Sequence, residues 1–291
     1  MLLEFDLAGA EWVVTSYLCQ DKKRLDVVRS GKSPHVVTGA IVFGPPEALV
    51  LAEHKALKEV SDPDELLKAR QERFPELLKY PFLPRTKTVR QAGKGCNFQL
   101  DYREGYRAYA VVNEMAESEA KRQVHAYRHI AYPGLLPWYA SIDREVRDTR
   151  TLTNCFGRQI YFQGALEDGT FRKATNFKSQ STVFDVTGRA MSLMLDDESA
   201  DFEPAELLAQ VHDSLLTQYL SRDFRAMARY AIKLALDYMS PTLHYNSMDF
   251  TLGVGLKVGH NWGRTKEIAP MRDEDRLALS LEQAYDELQR R

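Results

Sequence analysis

The sequence of 291 residues predicts an α+β fold, because strand-like and helix-like segments follow one another without the regular alternation of a doubly wound sheet. Strand-like apolar runs lie at the start of the chain, at residues 2–6, and in its last third, at 207–219. Helical patterns dominate the chain between them. A hydrophobic content of 44% and a charged content of 27% are ordinary for globular proteins, so a sizeable core is expected.

The elements of the first half follow from apolar spacing and from proline positions. Residues 2–6 form an apolar run that predicts a buried strand, and residues 11–18 predict the start of a helix. Residues 61–85 are charged and contain four prolines, which predicts an exposed helical insert with loops at its edges. Helical patterns continue over 88–132, where Pro133-Gly134 closes them, and again over 137–150.

The second half mixes hairpins with helices. The alternation of Arg158, Ile160 and Phe162 predicts a hairpin over 157–169, with Asp168-Gly169 at its turn. A helix is expected at 175–195. Two apolar runs, 207–213 and 215–219, flank a polar tip and predict a tight hairpin, followed by a long helix and a strand at 250–258. Residues 267–291 are charged and predict a solvated helix or a docking helix.

Composition excludes several classes of protein. The three cysteines are widely spaced and odd in number, so they indicate neither a disulfide framework nor a zinc site, and a reducing cytoplasm fits best. The sequence has neither an apolar run long enough for a membrane span nor a signal-peptide pattern at residues 1–6. The net charge of -2 does not indicate a nucleic-acid binder, although basic residues in large enzymes can line one cleft while acids cover the rest.

Two aspartates occupy unusual places at the ends of apolar segments. Asp6 ends the first predicted strand, and Asp213 lies at the tip of the predicted hairpin. A helix cap would explain Asp6 and an ordinary turn would explain Asp213. If the two carboxylates face each other, they could instead hold two magnesium ions for nucleotidyl transfer.

The most specific pattern is a ladder of four residues. Arg90, Lys94, Phe98 and Tyr102 recur at every fourth position and therefore share one face of a helix. The cations could bind phosphates and an aromatic ring could cover a sugar and a base. The alternative is a solvated face whose aromatic rings enter the core.

These segments resemble, in order, the motifs of family A DNA polymerases. Residues 5–11, with Asp6 and Glu11, resemble motif A, the ladder resembles the motif B "O helix", and Val211-His212-Asp213 resembles motif C. Shorter segments agree with the same family, namely Lys32–His35, Val42–Gly44, Tyr132–Gly134, Thr151–Arg158, Asn176–Met191 and Gly259–Trp262. The resemblance covers about residues 1–265.

The resemblance implies catalytic and nucleotide-binding roles. Asp6 and Asp213 are expected to ligate two Mg²⁺ ions, with Lys94 as a candidate proton donor to the leaving pyrophosphate. The residues expected to bind the incoming dNTP are Arg90, Lys94, Phe98, Tyr102, Glu11 and His35. Glu11 matches a steric gate against ribonucleotides, and Phe98 in place of Tyr implies discrimination against dideoxynucleotides. A structural histidine is an equally good interpretation of His35.

The resemblance also implies a partner, primer-template DNA. The residues expected to contact it are Arg158, Arg172, Asn176, Gln180 and His212. Three residues depart from the family pattern: Ser214 stands where a glutamate is usual, and Gln99 and Arg103 replace two glycines of motif B. A single-subunit RNA polymerase and a non-catalytic DNA-binding remnant remain as alternatives, although Glu11 and Phe98 argue against the first and the intact motifs against the second.

By this resemblance the chain divides into palm, fingers, palm and tail. The expected boundaries are palm at 1–30, fingers at 31–150 with the O helix at about 86–103, palm at 151–265 with the motif C hairpin at about 207–219, and a charged helical tail at 266–291. Motif A begins close to Met1, so the thumb and exonuclease domains are expected to be absent. A second, thumb-bearing polypeptide is then expected, as in a split polymerase of the phage type. A truncated sequence or an interrupted reading frame is the simpler alternative.

Overall fold

The computed structural model describes residues 1–289 and contains two compact units. The first, here called the sheet unit, comprises Met1–Val14, Thr153–Arg158 and the chain from Lys178 onwards. The second, here called the helical unit, comprises Thr15–Leu152 and Gln159–Phe177. The mixture of antiparallel sheet and helices confirms the predicted α+β class. The boundaries of the compact units differ from the expected ones, because residues 15–30 and 159–177, which were expected in the palm, belong to the helical unit.

The helices and strands account for most of the described chain. The α-helices are α1 Ala10–Cys19, α2 Lys22–Arg29, α3 Pro34–Phe43, α4 Glu47–Leu57, α5 Pro63–Arg73, α6 Val89–Leu100, α7 Tyr106–Val112, α8 Glu117–His125, α9 Leu135–Thr149, α10 Asp168–Leu195, α11 Phe224–Ile232 and α12 Glu274–Gln289. A 3₁₀-helix spans Pro75–Lys79, and π-helical turns extend α8 over Ala126–Ala131 and α11 over Lys233–Tyr238. The strands are β1 Leu2–Leu7, β2 Thr151–Thr153, β3 Gln159–Tyr161, β4 Ala205–Val211, β5 Ser214–Tyr219, β6 Leu243–Tyr245, β7 Met248–Phe250, β8 Val254–Asn261 and β9 Arg264–Ile268.

The sheet unit is organised around a five-stranded antiparallel sheet with strand order β4-β5-β1-β8-β9. In the central strand β1, Leu3, Phe5 and Leu7 are buried and alternate with half-buried Leu2, Glu4 and Asp6. Because successive side chains point to opposite faces, one face is apolar and the other carries Asp6. On the apolar face the Phe5 ring meets Tyr230 of α11 edge to face, at a centroid distance of 6.0 Å.

Helix α12 is part of the core of the sheet unit. Its buried residues, Leu277, Leu281 and Ala284, repeat at helical spacing and form the stripe that packs in this unit. The Tyr285 ring meets the rings of Phe224 at 5.6 Å and of His260 at 4.9 Å. The interpretation of the tail as a solvated helix is therefore wrong, because its charged residues cover one face while the other face is buried.

Local signals also misplaced one hairpin. The predicted turn at Asp168-Gly169 is instead the first turn of α10. Strand β3 pairs with β2, and the turn between them contains Asn154 and Gly157, which has a φ of +85°. The Asn154 side chain accepts hydrogen bonds from the backbone of Phe156 and Arg158, so an Asx-type turn closes this hairpin.

No single helix within residues 1–289 has the length and apolar character needed to cross a membrane. One pair, α3 with α4, meets that criterion when taken together, with a bend of 112° between the two helices.

Candidate functional site

Asp6 lies in a strand of the sheet unit, and Asp213 lies in the turn before the neighbouring strand. Asp6 is next to the last residue of β1, and Asp213 directly precedes β5, which is the antiparallel partner of β1. The Leu7 amide donates a hydrogen bond of 3.3 Å to the Asp213 carbonyl, which joins the backbones beside the two carboxylates. The sheet therefore brings together two acids that are far apart in the sequence.

A two-residue turn carries the second aspartate. His212 and Asp213 connect β4 to β5, and Val211 pairs with Ser214 where the hairpin closes. His212 has a φ of +54°, which is the sign that a tight hairpin requires at its first turn residue and that is unfavourable for a residue with a side chain. The predicted hairpin at 207–219 is confirmed, and the His212 side chain is exposed at its tip.

The two residues directly opposite Asp6 in the sheet are small. Its register partners are Ser214 on β5 and Gly255 on β8, and directly opposed residues of antiparallel strands share a face. Ser214 is 5% exposed, and its hydroxyl donates to the Val211 carbonyl at 2.9 Å. The residue that replaces the usual glutamate therefore closes the hairpin and brings no third carboxylate.

The carboxylate pair fits a magnesium site by its chemistry. Within residues 1–289 no group of three or more His, Cys, Asp or Glu side chains is arranged to hold a metal ion. Magnesium, however, keeps several of its waters and is usually held by one or two carboxylates together with substrate phosphates. Two aspartates, one in β1 and one in the turn before the neighbouring strand β5, with serine and glycine opposite Asp6, match that requirement.

In the helical unit, helix α6 presents the predicted ladder on its accessible face. Lys94 and Phe98 are exposed, Phe98 by 52%, and Arg90 is half-buried. The Lys94 ammonium lies 5.4 Å from the centre of the Phe98 ring. The opposite face is buried and consists of Val89, Ala92, Gly93, Cys96, Asn97 and Leu100. The alternative in which Phe98 enters the core is therefore wrong.

The helix is shorter than predicted, and one ladder residue lies outside it. A capping box of Thr88 and Gln91 starts α6 at Val89, and the helix ends at Leu100 rather than near 103. Tyr102 therefore lies in the turn after α6, half-buried. The four-residue spacing therefore places Arg90, Lys94 and Phe98 on one helix face, whereas the position of Tyr102 is set by the turn after the helix.

The two unusual residues of this segment have structural partners. Arg103 has a φ of +61°, so it adopts the left-handed conformation that glycine adopts without strain. Its guanidinium pairs with Asp143 at 2.7 Å and donates to the Tyr139 carbonyl at 2.6 Å. The Gln99 side chain accepts a hydrogen bond from Asn113 at 2.8 Å. Both replacements are thus accommodated by contacts within the helical unit.

His54 was missed by sequence reasoning. Its imidazole is within hydrogen-bonding distance of Arg90 Nη1, at 3.2 Å, and of the Thr88 hydroxyl, at 3.0 Å. Partial burial, followed by the positive charges of Arg90 and Lys58, lowers the pKa of His54. A neutral imidazole can accept a hydrogen bond from Arg90 and so orient the guanidinium. No local pattern identifies this residue, because it lies on α4, far from α6 in the sequence.

His35 lies in the first turn of α3, beside the ladder. Its ring centre is 6.4 Å from that of Phe98, and its Nδ1 lies 3.0 Å from Asn97 Nδ2. Burial, followed by the positive charges of Arg90 and Lys94, lowers the pKa of His35 to about 4. The structure thus groups His35 with Arg90, Lys94 and Phe98.

The low pKa of His35 predicts a pH effect on stability. His35 takes up a proton near pH 6.5 in the unfolded chain and only near pH 4 in the folded chain. The free energy of unfolding should therefore fall as the pH decreases from 6.5 to 4 and level off below pH 4. Above pH 6.5 the group is neutral in both states and contributes nothing. In urea titrations between pH 7 and 4, the native chain should lose up to about 3 kcal/mol more than the His35→Gln variant. Parallel pH profiles would contradict this prediction.

Helices α3 and α6 touch through their backbones. A Cβ atom added to Gly93 would lie 2.3 Å from the His35 carbonyl oxygen, and one added to Gly39 would lie 2.7 Å from the Val89 carbonyl oxygen. These distances are shorter than van der Waals contact, and the atoms involved belong to backbone, which cannot rotate away. Glycine is therefore required at the crossing, and its low helix propensity is the cost of this close approach.

Gly93→Ala is expected to destabilise the helical unit by about 3 kcal/mol, because the two helices must separate. Gly95→Ala is the matched control on the same helix. Its added Cβ would meet only the flexible Lys87 ammonium at 4.0 Å, and we expect a gain of up to about 1 kcal/mol from helix propensity. Urea unfolding of both variants measures the difference, and equal effects would show that the crossing is not tight.

Apart from His212, the residues expected to contact DNA occupy α10 and the hairpin before it. Arg172, Asn176 and Gln180 recur every four residues on α10, which is the spacing of one helix face. Arg158 forms a bidentate pair with Asp185, in which Nη2 donates to Oδ1 at 2.6 Å and Nε donates to Oδ2 at 3.0 Å. Although burial opposes it, hydrogen bonds from Arg158 and Asn154 lower the pKa of Asp185. Asp185 and Asn154 thus orient Arg158, a role that sequence reasoning did not assign.

The predicted residues fall into two sets. The sheet unit contains Asp6, Glu11, Arg158, Gln180, His212 and Asp213. The helical unit contains His35, Arg90, Lys94, Phe98, Tyr102, Arg172 and Asn176. Glu11 lies in the first turn of α1 and is half-buried, which is compatible with the position of a gate residue close to Asp6 along the chain.

Comparison with known proteins agrees with these observations. The chain is similar to DNA polymerase I of Pseudomonas aeruginosa, with 24% identity over 271 residues that cover 90% of this chain and 24% of that protein. It is also similar to DNA polymerase I of Treponema pallidum, with 23% identity over 269 residues that cover 90% of this chain and 23% of that protein. The chain thus spans about a quarter of the length of these curated relatives.

The fold also has a solved counterpart. The POL domain of Pol1 from M. smegmatis, in complex with DNA primer-template and dNTP, matches 90% of this chain with a TM-score of 0.65 and 17% identity. The match covers 40% of that chain. The sequence model of DNA polymerase family A matches residues 75–264, which is more than half of the chain. The resemblance read from the motifs is confirmed, and the chain belongs to DNA polymerase family A.

Proposed function

We propose that this chain carries the catalytic centre of a DNA-templated DNA polymerase, which adds dNTPs to a primer 3′-hydroxyl by two-metal nucleotidyl transfer. The observation that carries the proposal is the pair of acidic residues Asp6, in β1, and Asp213, in the turn before the neighbouring strand β5. A backbone hydrogen bond from Leu7 to Asp213 joins the two segments. Membership of DNA polymerase family A supports the same reaction.

Asp6 and Asp213 would hold the Mg²⁺ ions. When bound, magnesium would activate the primer hydroxyl and neutralise the charge that develops on the phosphates. Asp6 would present its hard oxygen ligands from a strand of the sheet, and Asp213 would present its own from the tight two-residue turn before β5. Ser214 adds no charge beside Asp6, so the site depends on two protein carboxylates.

Helix α6 would bind the incoming nucleotide. Arg90 and Lys94 would contact the triphosphate, and Lys94 would donate a proton to the leaving pyrophosphate. The exposed ring of Phe98 would stack on the sugar, and Tyr102 would close the pocket of the nascent base pair. Exposure of Lys94 and Phe98 on one face supports these roles, since binding requires that both side chains be accessible.

Selection of the sugar would rest on two residues. Glu11 would crowd the 2′ position and reject ribonucleotides, and Phe98 would disfavour dideoxynucleotides. Both assignments extend the motif resemblance to this chain. The position of Glu11 in the first turn of α1, five residues after Asp6, is compatible with this role.

Primer-template DNA would be the second substrate. We propose that Arg172, Asn176 and Gln180 on α10, together with His212 and Arg158, contact the duplex. Each provides hydrogen-bond donors suited to phosphates or base edges. The M. smegmatis domain of similar fold was solved with DNA primer-template and dNTP, which supports both classes of ligand.

We also propose that efficient synthesis requires a thumb-bearing polypeptide, as in a split polymerase of the phage type. The chain matches only 40% of the solved POL domain, so a large part of that domain has no counterpart in the described residues. Each phosphate contact contributes to DNA affinity, and a thumb would add many. The bacterial relatives support an activity in the cytoplasm of a bacterium or of a phage-infected host.

Primer extension by the purified chain tests the proposal. With Mg²⁺ and dNTPs, we expect slow, distributive extension by the chain alone and faster extension after a polypeptide carrying the thumb is added. Processive synthesis by the chain alone would contradict the need for a partner. Preferential use of ribonucleotides would favour an RNA polymerase, and DNA binding without extension under both conditions would favour a non-catalytic remnant.

A further inference from the structure

A buried polar network lies beneath helix α6 in the helical unit. Its centre is Asn97, which is 4% exposed and directly precedes the exposed Phe98. The other members are hydroxyls from three neighbouring segments, Thr38, Tyr127 and Tyr132. A buried amide on an otherwise apolar helix face is costly unless its hydrogen bonds are satisfied, so the network requires a physical explanation.

Asn97 connects this network to His35. Its Nδ2 lies 3.0 Å from His35 Nδ1. An amide NH₂ group can only donate, so Nδ1 must accept and must carry no proton. The proton of the neutral ring is then on Nε2. The neighbouring cations Arg90 and Lys94, together with burial, keep this imidazole neutral at physiological pH.

The orientation of the amide is set from the other side. The Thr38 hydroxyl donates to Asn97 Oδ1 at 2.8 Å, whereas the single proton of the nearby Tyr127 hydroxyl goes to the Asp101 carboxylate at 2.6 Å. Thr38 has one proton, and the Tyr132 hydroxyl at 2.6 Å can supply the hydrogen bond that Thr38 accepts. Because Thr38 donates to Oδ1, the Nδ2 group of the amide faces His35. A chain of donors from Tyr132 through Thr38 and Asn97 thus fixes the proton on the histidine.

We propose that Asn97 is a positioning residue that fixes His35 as an Nε2–H donor for the phosphates of the incoming nucleotide. The proposal rests on the proposed function, because it assigns a partner of the nucleotide site. The position of the proton matters because an Nε2–H attracts a phosphate oxygen, whereas an unprotonated Nε2 repels it. Asn97 itself is buried and acts only through His35.

The tautomer can be measured without nucleotide. Uniform ¹⁵N-histidine labelling and two-bond ¹H–¹⁵N correlation spectra distinguish a protonated from an unprotonated imidazole nitrogen, and the His35→Gln variant assigns the signals. In the native chain we expect a protonated Nε2 and an unprotonated Nδ1 throughout pH 6–8. In Asn97→Asp the carboxylate can only accept, so the proton should move to Nδ1. Thr38→Val, which removes the donor to Oδ1 without adding a charge, should give a mixture of both tautomers.

Nucleotide affinity provides the second measurement. Calorimetric titration with the magnesium complex of dGTP should give about tenfold weaker binding for Asn97→Asp and for His35→Gln, since each loses one hydrogen bond to a charged group. The double variant should also bind about tenfold more weakly, because both changes remove the same interaction. If Asn97 had a merely structural role, the two losses of affinity would multiply, and the double variant would bind dGTP about a hundredfold more weakly.

These measurements distinguish the positioning of His35 by Asn97 from the binding of nucleotide by His35. A protonated Nδ1 in the native chain, or an Asn97→Asp chain that folds and keeps the native tautomer, would overturn the positioning role. Multiplicative losses would overturn the action through His35. The native tautomer together with no binding of dGTP would support the positioning of His35 by Asn97 and overturn the nucleotide site on which the rest depends.

Discussion

Replacing Asp213 with Asn is expected to lower the rate of nucleotide incorporation by about 10³-fold or more. The amide keeps the size of the side chain and loses the negative charge that would hold Mg²⁺ at the hairpin tip. Metal ions supply several kcal/mol of transition-state stabilisation, and each 1.36 kcal/mol is worth tenfold in rate. Single-turnover primer extension, with the thumb-bearing partner present, measures the effect.

The matched control for this change is Asp286→Asn, at an exposed position of α12. This variant removes one negative charge from the same unit, and we expect it to incorporate nucleotides at the native rate. Circular dichroism of both variants should match the native chain, because Asp213 is a turn residue outside the buried core. If Asp213→Asn kept the native rate, the assignment of the carboxylate pair would be wrong.

Replacing Asp101 with Leu is expected to have the largest effect on stability, about 3–5 kcal/mol. Asp101 is 3% exposed and caps the end of α6, where its carboxylate accepts from Arg24 Nη2 at 2.8 Å and from the Tyr127 hydroxyl at 2.6 Å. Arg24 is 0% exposed. Loss of the carboxylate would leave a fully buried guanidinium without its counter-charge, and the Tyr127 hydroxyl would lose its acceptor.

The double variant Arg24→Met/Asp101→Leu distinguishes this cause from a simple loss of packing. With both charges removed, two apolar side chains replace the pair, and a large part of the lost stability should return. Urea unfolding of the single and double variants gives the comparison. A double variant less stable than Asp101→Leu alone would show that the unpaired charge is not the main cost.

Much of the candidate site could be predicted because its signals are local. The four-residue spacing of Arg90, Lys94 and Phe98 is a property of one helix, and the structure keeps these three on one face. Asp213 at the tip of a hairpin follows equally from two flanking apolar runs. The role of Asp6 was harder to predict, because it depends on pairing with β5, which is more than 200 residues away in the sequence.

The errors arose where distant contacts decide the local structure. Tyr102 lies outside α6 because the buried pair of Arg24 and Asp101 and the left-handed Arg103 form the end of that helix. The tail was interpreted from its charge, although Leu277, Leu281 and Ala284 already showed a helical stripe. Asn97 and His54 had no signal of their own, since each acts through a partner on another helix.

The glycine crossing of α3 and α6 has a consequence for motion. With backbone against backbone at Gly39 and Gly93, no side chain can change rotamer to let one helix slide along the other. His35 on α3 and the cations of α6 must then travel as one rigid body whenever the helical unit moves. A nucleotide bound by these residues would therefore keep its contacts with both helices during such a movement.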